Sequence, residues 1–349
     1  MTDKIKIGIT HGDINGISYE VILKTFLDNQ AYSNYTPVIY GSPKVAAYHR
    51  KALDIENLNL NNIKYAHEAM DGRVNILHCI DDEIRVELGK STEAAGKASV
   101  DALEKAVEDL KNKNIDVLVT APIDKQNIQS DNFSFPGHTE FLKTRFESDD
   151  VVMLMISELM KVGVVTGHVP VADISKALSR EKIVSKLKVM NHSLLQDFTI
   201  RKPKIAVLGL NPHAGDNGVI GNEEKEIITP AIEEAREQGI MALGPYPADG
   251  FFGAGSFAQF DAILAMYHDQ GLAPFKALSI DGGVNFTAGL PIVRTSPAHG
   301  TAYELAGKGE ASIDSFRRAF YLAGDIFTKR QEYSELTKNP LNPSKQEYE

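Results

Sequence analysis

Three histidines stand immediately after apolar runs. Val162-Gly163-Val164-Val165-Thr166-Gly167 leads to His168. Val207-Leu208-Gly209-Leu210-Asn211-Pro212 leads to His213, and Ala262-Ile263-Leu264-Ala265-Met266-Tyr267 leads to His268. Imidazoles suit zinc, and open sites of this kind also work with cobalt, manganese or magnesium. Three imidazoles meeting at one divalent ion leave positions for substrate oxygens, and such an ion polarises a hydroxyl or carbonyl as a Lewis acid. The alternative is three unrelated loop histidines. Their shared position at a strand end weighs against it, because binding groups concentrate on loops held by a rigid scaffold.

Other candidates sit in comparable places. Pro136-Gly137-His138-Thr139-Glu140 opens a helix expected over Thr139–Phe146. A helix N-terminus binds carboxylate or phosphate, although Thr139 can instead serve only as a cap. Lys276, Asn285 and Arg294 lie on successive short segments after His268, with Arg294 closing the apolar run Leu290-Pro291-Ile292-Val293. Lys and Arg at strand ends can build a basic pocket for a phosphate, or they can be solvated surface charge. Asp249 can transfer a proton or simply form a turn. Asp124 and Lys125 follow an apolar strand ending at Thr120. They either face a ligand or serve as an N-cap and a surface lysine.

The elements that position these residues alternate. Lys4 to Thr10 reads as a strand, His11-Gly12-Asp13-Ile14-Asn15-Gly16 as a loop, and Tyr19 to Leu27 as a helix. Pro37 to Gly41 is a second strand, with Ser42 as N-cap, Pro43 at the first helical position and a helix over Val45–Leu53. From Thr92 to Lys111, Ala95, Ala98, Ala102, Leu103, Ala106, Val107 and Leu110 trace one helical face. Further strands are expected at Ile115–Thr120, Val151–Ile156, Lys161–Thr166, Lys204–Leu210 and Ala262–Tyr267. Helices are expected at Arg180–Phe198, Glu223–Gln238 and Ser315–Lys329. This order predicts an α/β fold with its sheet covered on both sides. Ligand-binding loops then belong at the C-terminal ends of the strands. No Gly-x-Gly-x-x-Gly follows the first strand and no P-loop signature occurs, so a dinucleotide would have to be held by another loop.

Composition narrows the function. The chain has 349 residues and a formal net charge of −10, which disfavours nucleic acid as a ligand. A small phosphorylated substrate would require a local basic pocket. The single cysteine, Cys79, rules out an intramolecular disulfide framework. No run approaches the length of a membrane span, so no membrane partner is expected and the cytoplasm is the expected location.

Taken together, the motifs resemble the 4-hydroxythreonine-4-phosphate dehydrogenase family. Gly137-His138-Thr139-Glu140, Thr166-Gly167-His168-Val169-Pro170, Leu210-Asn211-Pro212-His213-Ala214-Gly215 and Ala265-Met266-Tyr267-His268-Asp269-Gln270-Gly271 occur in the family's order. Segments 289–296 and 299–309 continue the match, which runs from about residue 5 to about 328. The resemblance implies an α/β fold of the isocitrate/isopropylmalate dehydrogenase type, two α/β/α domains flanking a central cleft, working as a homodimer. It implies one catalytic unit over 1–349, split discontinuously. Segments 1–135 and 285–330 form the NAD-binding side, 136–284 the metal, substrate and dimerisation side, and 331–349 a loose polar tail. It places His168, His213 and His268 on metal ligands shared across the dimer interface. His138, Thr139, Lys276, Asn285 and Arg294 fall on substrate positions, and His299, Gly300 and Thr301 on the NAD (or NADP) loop. Asp249 or Lys125 would take the hydroxyl proton.

The reaction so implied is NAD-dependent oxidation of 4-phosphooxy-L-threonine in vitamin B6 synthesis. Departures lie in the opening loop His11–Ser18, at Asp124 and at Ala273-Pro274-Phe275-Lys276. They leave open a sister activity on 4-phospho-D-threonate or 4-phospho-D-erythronate. Asp124 or Asp13 would favour an amine at C2. A metal-dependent lyase without a redox cofactor and a non-catalytic phosphate-binding module are the readings from other classes.

Overall fold

The computed structural model describes residues 4–339 apart from 131, 132 and 281. Strand β1 (Ile5–Thr10), helix α1 (Ser18–Thr25), β2 (Tyr35–Gly41), α2 (Pro43–Ala52), β3 (Leu60–Ile63), β4 (Val74–His78), α3 (Glu93–Lys111) and β5 (Val117–Thr120) form the first half. The second comprises α4 (His138–Arg145), β6 (Val152–Ile156), β7 (Lys161–Thr166), α5 (Ile174–Ala177), α6 (Arg180–Gln196), β8 (Lys204–Leu208), α7 (Thr229–Glu237) and β9 (Met241–Tyr246). It continues through α8 (Ala248–Gly253), β10 (Ala262–Tyr267), α9 (His268–Leu278) and β11 (Val284–Ala288). The chain then returns through β12 (Arg294–Pro297) and α10 (Asp314–Thr337) to pack on the first half.

Local chemistry sets the helix ends. Ser42 accepts bonds from the Lys44 and Val45 amides, with Pro43 at the first helical position, so α2 starts where a cap and a pre-set φ coincide. Thr92 caps α3 through the Ala95 amide, and all seven residues of its expected apolar face are buried.

The strands form one sheet in the order β3-β4-β2-β1-β5-β12-β11-β6-β7-β10-β8-β9. From β3 to β12 all neighbours are parallel. β11 is antiparallel to both β12 and β6, β6 is antiparallel to β7, and β7, β10, β8 and β9 are again parallel. The two parallel halves therefore run in opposite directions, joined by a seam at β11 and β6. With a twist of roughly 20–25° per step, the four steps from β5 to β7 turn the strands through about a right angle.

Both faces of the second half are covered. On β10, Ala262, Leu264 and Met266 join the large core, whereas Ile263 and Ala265 pack into a smaller core with Phe251, Leu272 and Phe275 from α8 and α9. No helix among the described residues is long and apolar enough to cross a membrane.

Several boundaries differ from the sequence reading. The helix expected over Glu223–Gln238 begins as a π-helical turn, Glu224–Ile228, before α7. The strand expected to reach Leu210 ends at Leu208. α10 continues past Lys329 to Thr337, so the first part of the expected loose tail is helical; residues 340–349 lie outside the described residues.

Candidate active site

A cavity of about 630 Å³ lies over the seam. Its walls come from the segment after β5, the start of α4, strands β6, β7, β11 and β12, and the loop after β12. Lys125, Lys143, Lys186 and Arg294 line it against two carboxylates, Glu140 and Asp150, and His138, His168 and His299 join them. An acidic protein thus carries the local basic pocket that a phosphorylated ligand requires.

Arg294 is the strongest feature. It opens β12 rather than closing a strand, because Arg294 pairs in register with Leu118 of β5. Its side chain is buried, with Nε and Nη2 donating to Thr120 Oγ1 at 3.0 and 2.6 Å and Nη1 to Thr287 Oγ1 at 3.1 Å. Among the described residues no carboxylate lies within ion-pair distance of it. Burial lowers its pKa to about 10, with Glu140 opposing the shift from a distance. A buried guanidinium without an ionic partner is costly unless a ligand supplies the anion.

The start of α4 faces the same space. Its N-cap is Gly137 and no side chain caps it, so Thr139 is not the cap. The first-turn amides of a helix lack intrahelical acceptors and favour an anion. His138, its first residue, is held neutral: desolvation, then the Arg294 and Lys125 charges, push its pKa well below the ordinary value. Asn285 reaches the cavity from β11, and its Oδ1 is buried without a donor.

The three histidine loops leave neighbouring parallel strands, β7, β10 and β8, at one edge of the sheet. The rings of His168 and His268 lie 5.9 Å apart. Lys125 Nζ lies 3.2 Å from His168 Nε2, and burial, then Lys125, lowers the pKa of that imidazole. Asp269 Oδ1 holds His268 Nδ1 at 2.7 Å, which leaves Nε2 as a potential metal donor. His213 is exposed and stands apart. Among the described residues no group of three or more His, Cys, Asp or Glu is arranged to hold a metal within one chain. Two of the three expected ligands are thus brought together.

His299 and Gly300 line the cavity, and the carbonyl of Thr301 accepts from the Ile17 amide of the opening loop. His299 Nδ1 faces the Gly300 carbonyl at 3.0 Å, so Nε2 is an acceptor; it is buried without a donor. A ligand hydroxyl or amine suits it.

Other residues of the sequence reading lie outside the cavity. Lys276 lies in the last turn of α9, exposed and outside the cavity, not at a strand end. Asp249 is exposed in the first turn of α8, also outside it. Neither Asp13 nor Asp124 lines the cavity. Asp13 is buried and accepts from the Asn15 amide, Asn127 Nδ2 and the Tyr303 hydroxyl. Asp124 accepts from Ser91 and Tyr303. Lys143, Lys186, Glu140 and Asp150 were not anticipated. Single charges carry no sequence signal that separates a lining residue from a solvated one.

The chain is similar to known proteins along nearly its whole length. Residues 33–323 match the family model of the pyridoxal phosphate biosynthetic protein PdxA. The chain belongs to the PdxA family. It is 55% identical to a 4-hydroxythreonine-4-phosphate dehydrogenase of Bacteroides thetaiotaomicron, over 99% of this chain and 95% of that protein. It is 38% identical to a putative D-threonate 4-phosphate dehydrogenase of Oceanobacillus iheyensis, over 93% and 99%. The crystal structure of 4-hydroxythreonine-4-phosphate dehydrogenase from Klebsiella pneumoniae superposes with a TM-score of 0.82 at 31% identity, covering 93% of this chain and 98% of that one. The PdxA fold is the expected α/β class of the isocitrate/isopropylmalate dehydrogenase type, here as a single mixed sheet whose halves flank the cavity.

Proposed function

We propose that this PdxA-family chain oxidises the C3 hydroxyl of 4-phosphooxy-L-threonine with NAD, or with NADP in its place, in pyridoxal 5'-phosphate biosynthesis. The product, 2-amino-3-oxo-4-phosphooxybutanoate, is a β-keto acid and loses carbon dioxide to give 3-amino-2-oxopropyl phosphate. The observation that carries this reading is Arg294, buried at the cavity without an anionic partner among the described residues.

In this reading Arg294, the start of α4 and Thr139 hold the phosphate, and Asn285 accepts from the substrate. Glu140, a lining carboxylate without an ion pair among the described residues, favours an amine at C2 over the hydroxyl of the sister substrates. Lys125, at the cavity beside His168, would accept the C3 hydroxyl proton in its neutral amine form. His299, Gly300 and Thr301 would hold the NAD. His168 and His268 would hold a divalent ion (zinc, magnesium, cobalt or manganese), and when bound it favours the alkoxide form of the substrate. His213 and Lys276, exposed and outside this cavity, would be offered to a second copy in a homodimer, with Asp249 beside the same interface. We place the enzyme in the cytoplasm.

The test follows NADH absorbance with 4-phosphooxy-L-threonine, with and without chelator, beside the D-threonate and D-erythronate 4-phosphates. NADH on the amino substrate, lost with chelator, is expected. Activity confined to the hydroxy substrates would move the role to sugar-acid breakdown. No NADH from any of the three, with metal replete, would overturn the dehydrogenase and leave the lyase.

A further inference from the structure

His213 opens a segment that folds against the usual backbone preference. Six consecutive residues have positive φ: His213 (53°), Ala214 (51°), Gly215 (79°), Asp216 (42°) and Asn217 (56°), with Gly218 (94°) closing the run. Four of them carry a Cβ, which crowds the backbone in the left-handed region. A run of this length persists only where its surroundings fix it, and such strain gathers at functional sites.

Two neighbouring carboxylates hold its foot: Glu223 Oε2 accepts from Asn211 Nδ2 at 2.8 Å, and the buried Glu224 accepts from three donors. Glu224 is buried at 5% exposure. Its Oε1 accepts from the amides of Leu210 and Asn211, both at 2.7 Å, and its Oε2 from Asn211 Nδ2 at 2.9 Å. These bonds hold the two residues at the foot of the turn, and the Asn211 carbonyl then accepts from the Ala214 amide at 3.1 Å. The fit is close: a Cβ on Gly215 would stand 2.6 Å from Glu224 Oε2. Glu224 itself sits in the π-helical turn Glu224–Ile228, an uncommon geometry that proteins use mostly at functional sites. Two rare backbone conformations therefore meet at one buried side chain, next to an exposed imidazole. The foot of the turn is also tied to the His268 loop. Gln270 Nε2 donates to the Gly209 carbonyl at 2.5 Å, and Gln270 Oε1 accepts from the Met266 amide at 2.7 Å.

We propose that Glu224 is a positioning residue that latches the left-handed turn 213–217 and fixes the direction in which His213 is offered to a divalent metal ion. This rests on the metal-binding reading of His213 given above. Without the latch the turn is free to relax toward ordinary φ values, and His213 is released from its set direction. A carboxylate suits the task because all three of its contacts are donors. In Glu224→Gln the side-chain amide turns one of the two positions into a donor facing another donor.

The test uses the full-length chain. Hydrogen exchange of segment 209–218 and cobalt(II) titration, read by visible absorption and calorimetry, are compared for wild type, Glu224→Gln and Glu226→Gln, an exposed control. Glu224→Gln is expected to speed exchange in 209–218 and weaken cobalt binding ~10-fold, the usual scale for a group that orients a metal ligand. The Glu226→Gln control is expected to match wild type in both. Faster exchange with wild-type cobalt affinity would overturn the proposal and leave Glu224 a purely structural latch. Unchanged exchange would overturn it as well. If wild type itself binds no cobalt, the metal reading fails, and the latch fails with it. Should Glu224→Gln not fold, Asn211→Ala removes the Oε2 contact together with the Asn211 Nδ2 bond to Glu223 and, set beside Glu223→Gln, carries the same comparison, with the same directions expected and smaller changes.

Discussion

The opening loop and the cavity are both dense in polar side chains, yet they use them in opposite ways. At the loop, the carboxylate of Asp13 accepts from the Asn15 amide, Asn127 Nδ2 and Tyr303, and Asn15 bonds to nearby amides, while the neutral ring of His11 and Asn127 Oδ1 are buried without partners among the described residues. In the cavity, among the described residues, Arg294 lacks a carboxylate, Asn285 Oδ1 and His299 Nε2 lack donors, and α4 lacks a side-chain cap. A buried charge without an opposite partner costs far more than a neutral polar atom, so a fold retains one where a ligand completes the set. The state of the charge separates the two regions where residue type does not: Asp13, beside Gly12, engages its carboxylate with three donors, whereas Arg294 meets no carboxylate among the described residues.

The sharpest way to break that comparison is Arg294→Met. If the guanidinium serves a ligand anion, kcat/KM falls roughly 10²–10³-fold, the scale of a truncated buried charge pair. The same substitution removes an unpaired buried charge, so the melting temperature should hold or rise. A lower melting temperature with activity retained would make Arg294 part of the scaffold.

The buried side of the opening loop supplies the next test. His11 and His49 flank Tyr19, with stacked rings 5.5 and 4.8 Å away. Burial lowers the pKa of each to about 4. Between pH 6.5 and 4 the unfolded chain has taken up protons that the native state refuses. Their contribution to stability is therefore full above pH 6.5 and is lost as pH falls through this window, on the order of 3 kcal/mol for each histidine. Carboxylates act in the same direction, so the discriminating measurement is the difference between wild type and His49→Gln. Urea unfolding from pH 7 to 4 should show a flatter slope for the variant; parallel slopes would mean that His49 does not titrate in this way.

Asp13→Asn sharpens the scaffold side. The loss of charge-assisted bonds should destabilise by ~1.5–3 kcal/mol, seen as a lower melting temperature, while the KM for the phosphorylated substrate stays at the wild-type value. A raised KM with an unchanged melting temperature would move Asp13 into the site.

The same contrast explains what could be read from the sequence. Period and capping were legible: the apolar face of α3 and the Ser42-Pro43 start of α2 follow from local chemistry. So was the repeated strand–histidine context, because β7, β8 and β10 are apolar runs long enough to stand out. Arg294 was legible as a candidate but not as buried. Leu290–Val293 is the more strand-like stretch, whereas the strand forms over Arg294–Pro297 because the sheet offers β5 and β11 as partners there. The reversal of direction at the seam depends on pairings that no local pattern encodes. The left-handed turn at His213 was hidden for a related reason: its stabilising carboxylate is Glu224, beyond the turn in sequence and buried only by tertiary packing.

The smallest expected effect concerns Asp124, which the sequence offered as a selector of the amine at C2. Burial alone would raise its carboxyl pKa. Bonds from Ser91, the Gln126 amide and Tyr303 outweigh burial and hold the pKa below the ordinary value. The charge is therefore present, but it is spent on the loop, and Ile123 and Lys125 line the cavity on either side of it without it. Asp124→Ala should cost some stability through Ser91 and Tyr303. It should leave the ratio of kcat/KM for 4-phosphooxy-L-threonine and D-threonate 4-phosphate within about twofold, because a charge outside the cavity and screened by its own donors adds little discrimination. Glu140→Gln is the contrasting variant and should shift that ratio toward the hydroxy substrate. If Asp124→Ala shifts the ratio and Glu140→Gln does not, the boundary between satisfied scaffold and open site has been drawn on the wrong side of residue 124.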